Sequence, residues 1–155
     1  MRSVITLVAL VPGLVQPTSF AKAQQVPAIV QTTLDGLTRE CRNAGGGPRA
    51  GAQPLTSADL NGDGVLDWVL DAGDLDCENG TFFCGTGGCL TMIFVSHGEG
   101  HTLVWEDNIH GWRATVIGGR AGIHFDLHGS ACGLSGAEPC SQRYLFEGGR
   151  LVRSQ

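Results

Sequence analysis

The sequence predicts an α+β fold: one N-terminal helix packed on a mainly antiparallel β-sheet of six to eight strands, stapled by disulfides. Three observations predict it. A helical apolar stripe occurs over residues 28–43. After it, apolar and polar residues alternate in short runs separated by glycine-rich turns. Six cysteines, all beyond residue 40, form an even set in a chain of 155 residues, a length that suits one domain.

In the helix, Val30, Leu34, Leu37 and Cys41 recur at one-face spacing, while Gln31, Asp35, Arg39 and Arg42 take the other faces. Pro27 suits the first turn, and Gly45-Gly46-Gly47-Pro48 stops the helix. No side chain on it suggests chemistry, so it reads as a packing element, and Cys41 on the apolar stripe ties it to the rest by a disulfide. Residues 45–58 are rich in Gly, Pro and Ala and read as a linker. Leu66, Trp68 and Leu70 then share one face of a strand, and residues 90–96 read as a buried strand. His97-Gly98-Glu99-Gly100 turns that strand into a partner over 101–106. Residues 112–117 and 121–128 form a second hairpin about Gly118-Gly119, and 142–147 and 150–153 a third about Gly148-Gly149.

The first 23 residues have the pattern of a signal peptide. Arg2 supplies the positive start, Val4 to Val15 is almost wholly apolar but too short to span a bilayer, and Ala21-Lys22-Ala23 is a small-x-small cleavage site. Cleavage after Ala23 removes Arg2 and Lys22 and leaves residues 24–155 as a single exported domain. Its 8 arginines, 15 acidic residues and no lysine give a net charge of -7, which argues against nucleic-acid or anionic-membrane partners. The expected location is periplasmic or secreted, with no membrane attachment after cleavage. In an oxidising compartment Cys41, Cys77, Cys84, Cys89, Cys132 and Cys140 read as disulfide partners. Cys132 and Cys140 make a natural local pair; two of Cys77, Cys84 and Cys89 pair while the third reaches Cys41. A zinc site built from Cys77, Cys84 and Cys89 is the alternative, although no C-x-x-C knuckle is present.

Asp59-Leu60-Asn61-Gly62-Asp63-Gly64-Val65-Leu66-Asp67 is the most specific stretch. It fits D-x-N-x-D-G-x-x-D, in which alternating oxygen donors wrap a hard cation and the glycine after the third donor permits a sharp turn. The expected calcium ligands are the side chains of Asp59, Asn61, Asp63 and Asp67 and the carbonyl of Val65. An EF-hand would need a bidentate Glu where Leu70 stands, and Trp68-Val69-Leu70 reads as strand where a helix would follow. The loop resembles instead the calcium loop of FG-GAP/VCBS repeats, in which such a loop feeds a β-strand. The strand, Gly-x-Gly turn and return strand over 89–106 loosely continue the resemblance. It implicates Asp59, Asn61, Asp63 and Asp67 as side-chain ligands. That family builds propellers from many copies, and one copy in a short chain excludes a propeller here. The layout also resembles small exported bacterial proteins with one such loop, which implies no activity. With three loop carboxylates and no bidentate Glu, the expected calcium affinity is weak, about 10⁻⁴–10⁻³ M.

His124, Asp126 and His128 are the candidate catalytic or transition-metal residues. On a strand they share one face while Ile123, Phe125 and Leu127 take the other. His110, His97 and His101 are further ligand candidates. The plainer account is the polar face of a half-buried strand. Glu99, Glu106 and Asp107 belong to hairpin segments, where acidic residues are ordinary, and make a weaker case as a glycosidase pair. Trp68, Trp105 and Trp112 are the largest apolar units available, so at least two belong to the core, with a sugar-binding surface as the alternative. The sequence therefore favours a non-catalytic calcium-binding module that contacts an extracytoplasmic protein or glycan, an inhibitor or accessory protein being of the same class. A small metal-dependent hydrolase on the histidine strand is the alternative.

Overall fold

In the computed structural model, residues 25–80 and 82–154 are described; the expected signal peptide and its cleavage site lie outside them. Helix α1 (Ala28–Asn43) is followed by β1 (Leu55–Ala58), β2 (Asp67–Asp71), β3 (Cys84–Gly85), β4 (Gly88–His97) and β5 (Gly100–Ile109). The chain continues through β6 (Gly111–Ile117), β7 (Arg120–Leu127), β8 (Cys140–Glu147) and β9 (Arg150–Arg153). Short 3-10 helices span Ala72–Leu75 and Gly129–Cys132. The expected α+β architecture is present, but the strands divide between two antiparallel sheets. In the first, β2 lies between β1 and β4, and β4 also pairs with β3 and β5; the second runs β6-β7-β8-β9.

Two clusters fill a three-layer body. On one face of the first sheet, Trp68, Leu70, Met92 and Phe94 pack with Val30, Leu37 and Cys41 of α1. On the other face, Val69, Ile93 and Val95 pack with Ile123, Phe125 and Leu127 of the second sheet. β2 and β4 are thus covered on both sides, which is why residues 90–96 read as a continuous apolar run. It is also why Val69 is as buried as the Trp68 and Leu70 face that alternation singles out.

The nine strands among the described residues slightly exceed the six to eight expected. β1 lies within the stretch read as linker, where Thr56 and Ser57 are exposed and no apolar alternation marks the strand. β3 has two residues, held beside β4 by the Cys84–Cys89 disulfide. The three hairpins form as expected. In two of them paired glycines turn the chain at positive φ, 58° and 80° at Gly118-Gly119 and 54° and 74° at Gly148-Gly149, as a two-residue turn requires. The pairing of β4 with β5 slips at Ile93, leaving Val104 as an extra residue in an outer strand.

The disulfides are Cys41–Cys77, Cys84–Cys89 and Cys132–Cys140. The zinc alternative is overturned, because Cys77, Cys84 and Cys89 are oxidised and offer no thiolate. Cys41 leaves the buried stripe of α1 to meet Cys77 just beyond the first 3-10 helix. No helix among the described residues is long and apolar enough to cross a membrane.

Candidate functional site

The loop between β1 and β2 is organised by its acidic side chains. Asp59 accepts from the amides of Gly62 and Asp63 on one oxygen, at 2.7 and 3.2 Å, and from Gly64 on the other at 2.9 Å. Asn61 Oδ1 accepts from the Asp63 amide at 3.0 Å, and Asp63 Oδ1 from the Val65 amide at 2.8 Å. Each side chain thereby caps the backbone just after it, which bends the loop inward. Gly62 and Gly64 take φ of 83° and 84°, values that favour glycine.

Asp67 is fully buried at the start of β2. Its Oδ2 accepts from the amides of Leu60 and Asn61 at 2.7 and 3.0 Å, and its Oδ1 accepts from the Ser96 amide at 2.7 Å. Ser96 Oγ stands 2.6 Å from Asp63 Oδ2 and 3.1 Å from Asp67 Oδ1. The hydroxyl has one proton, and the shorter contact takes it. Asp67 Oδ1 therefore faces that oxygen with a lone pair unused. The Ser96 hydroxyl holds the Asp63 carboxyl below its usual range against the opposing effect of burial, with help from the Val65 amide and Asn61. His101 Nε2 donates to the Leu66 carbonyl at 2.8 Å, fastening the loop's far end to β5. Ser96 carried no signal in the sequence, because its partners are about 30 residues away.

Among the described residues, no three His, Cys, Asp or Glu side chains converge as a ready metal centre. The loop's oxygens turn to amides instead. As donors for a hard cation the set fits in kind, being entirely oxygen, with Asp59 and Asp63 exposed and Asn61 half-buried between them. Asp67 fits less freely, since three amides already engage it.

The histidine strand is only partly assembled. His124 and Asp126 meet at 3.1 Å on β7. Arg113 of β6 joins both, its Nη1 donating to Asp126 Oδ2 at 3.0 Å and its Nη2 lying 2.7 Å from His124 Nε2. Both contacts fall on the one ring nitrogen, Nε2. A fixed cation thus sits where a metal would approach. His128 falls beyond the end of β7, bonds Ser130 Oγ through Nδ1 at 2.8 Å, and has the ring of His110 at 6.5 Å.

A cleft of about 520 Å³ opens between β5 of the first sheet and β8–β9 of the second. Trp105 and Tyr144 line it, with Asp107, Asn108, Gln142 and Arg153 around them. Trp105 stacks on Phe125 at 4.1 Å, and Tyr144 meets the indole edge-on at 5.3 Å. Tyr144 donates to Gln142 Oε1 at 2.7 Å, and Gln142 Nε2 donates to the Ala131 carbonyl at 2.9 Å. The other two tryptophans serve packing, Trp68 under α1 and Trp112 against the inter-sheet cluster.

These features define a disulfide-bonded α+β domain of two stacked antiparallel sheets and one covering helix, with an acidic loop at one place and an aromatic-lined cleft at another. Comparison with known protein families, curated proteins and solved structures finds no match to the chain.

Proposed function

We propose that the chain is an exported, periplasmic or secreted, non-catalytic binding module that holds calcium in the 59–67 loop and contacts an extracytoplasmic protein or glycan. The observation that carries calcium is the convergence on Ser96: its one hydroxyl stands against the carboxylates of both Asp63 and Asp67. A divalent cation would relieve the charge concentrated there. Asp59, Asn61, Asp63 and the Val65 carbonyl would hold it, with Asp67 using the oxygen that faces Ser96. The ion would join loop to strands and has no reacting group to activate, so its role is structural. The three disulfides support an oxidising location, and the expected signal peptide supports export. Catalysis at His124, Asp126 and His128 draws no comparable support, since Arg113 meets the imidazole nitrogen.

The test is thermal melting of the oxidised mature chain in chelator and in 10 mM calcium. At about 10 to 100 times the expected dissociation constant the ion adds about 1.4 to 2.7 kcal/mol, a rise of about 5 to 10 °C in a domain of this size. Equal melting temperatures overturn the calcium reading.

A further inference from the structure

The cleft between β5 and β8–β9 has features that narrow the ligand class. Its side chains come from both sheets: Trp105 and Asp107 from one, Gln142, Tyr144 and Arg153 from the other. Tyr144 and Arg153 are cross-strand partners and so lie on one face of the second sheet. Its volume of about 520 Å³ is in the range of small-molecule sites. Arg153 is exposed and has no ion-pair partner among the described residues. Asp107 accepts from the Asn108 amide on one carboxylate oxygen at 2.8 Å, and its other oxygen meets no donor among the described residues. The indole Nε1 of Trp105 is buried without a hydrogen-bond partner among the described residues.

Charge is distributed to match. Five of the eight arginines beyond residue 24 lie from Arg113 to Arg153, whereas twelve of the fifteen acidic residues precede Gly111. In this second half Arg113 and Arg120 are paired with Asp126 and Glu147, which leaves Arg143, Arg150 and Arg153 without an ion pair among the described residues to draw an anionic ligand.

We propose that this cleft binds a pyranose bearing a carboxylate, a sugar of the uronate class. The apolar C–H face of such a ring suits the electron-rich faces of Trp105 and Tyr144. Arg153 takes the carboxylate in a two-pronged pair. Asp107 and Asn108 take ring hydroxyls. A peptide carboxylate would use Arg153 equally well but lacks the flat C–H face that would lie on the aromatic rings. This inference rests on the binding-module reading and names its ligand; it does not depend on calcium.

The experiment follows the three tryptophan indole N–H resonances of the ¹⁵N-labelled mature protein, run in chelator and again in 10 mM calcium. The probes are D-glucuronate and D-galacturonate, each against its neutral parent sugar, with N-acetyl-dialanine as the peptide carboxylate. At least one uronate is expected to shift the Trp105 signal with a dissociation constant of about 1 mM, at least about tenfold tighter than its parent. Arg153→Gln is expected to remove that difference without altering the rest of the spectrum. If neither uronate exceeds its parent, or the dialanine competes as strongly, the proposal is overturned. Calcium-dependent melting without a uronate response would defeat the cleft assignment alone. A uronate response in chelator would uphold it even if melting ignored calcium.

Discussion

Asp67 and Ser96 join the loop to the sheet: the Ser96 amide near the end of β4 donates a 2.7 Å hydrogen bond to a carboxylate that is fully buried. β2 and β4 already pair through Trp68 and Phe94. The Asp67–Ser96 bond carries that pairing one step further, to where the loop enters. Whatever else the loop does, this carboxylate fixes where it sits.

Asp67→Asn is expected to destabilise the fold by about 3 kcal/mol, because either orientation of the amide turns an NH₂ group toward main-chain donors that now find a carboxylate oxygen. Urea unfolding in chelator checks this. An effect seen only with calcium present would instead make Asp67 chiefly a metal ligand.

Ser96→Ala removes the largest cause of the lowered Asp63 pKa. A carboxyl depressed by folding contributes stability that is present above its ordinary value of 3.8 and lost as pH falls through the lower folded value. The Asp63 carboxyl should therefore titrate higher in the variant, followed by carbon NMR, and Asp63's contribution to acid resistance should shrink. Asp71 has the opposite sign: burial, foremost, raises it, so its contribution favours the fold at low pH and is lost as pH rises through the folded value. Asp71→Asn should leave a stability curve that falls less steeply on that rise.

The disulfides differ in the length of chain they close. Cys41–Cys77 spans 36 residues and Cys84–Cys89 spans 5, so loop-closure entropy ranks the first above the second, about 4 against about 2 kcal/mol. Paired Cys→Ser variants, compared by denaturant midpoint, should show that order. A larger loss for Cys84–Cys89 would mean that β3 matters more to the sheet than its two residues suggest.

Gly88 begins β4 at φ 98°, where an added Cβ would run into the Ile109 carbonyl. Gly88→Ala should cost about 3 kcal/mol or more, since both strain and a backbone clash oppose it. Gly51→Ala, at φ 89° but with open space around it, should cost less. Melting temperatures of the two variants check the difference.

The periodicity of Val30, Leu34, Leu37 and Cys41, the glycine-paired hairpins and the spacing of Cys132 and Cys140 are local signals. They predicted α1, the three hairpins and a local disulfide because each depends on residues close in the chain. The acidic loop was legible for the same reason: its amide contacts span two to seven residues. Tertiary structure decided what depends on distant partners. It split the strands into two sheets, put β1 into a stretch with no apolar pattern, brought Ser96 to Asp63 and Asp67, set Arg113 against His124, and joined Trp105 to Tyr144 and Arg153 in one cleft. Such pairings follow from which faces pack, and packing is a property of the whole chain, so no local run of residues records it.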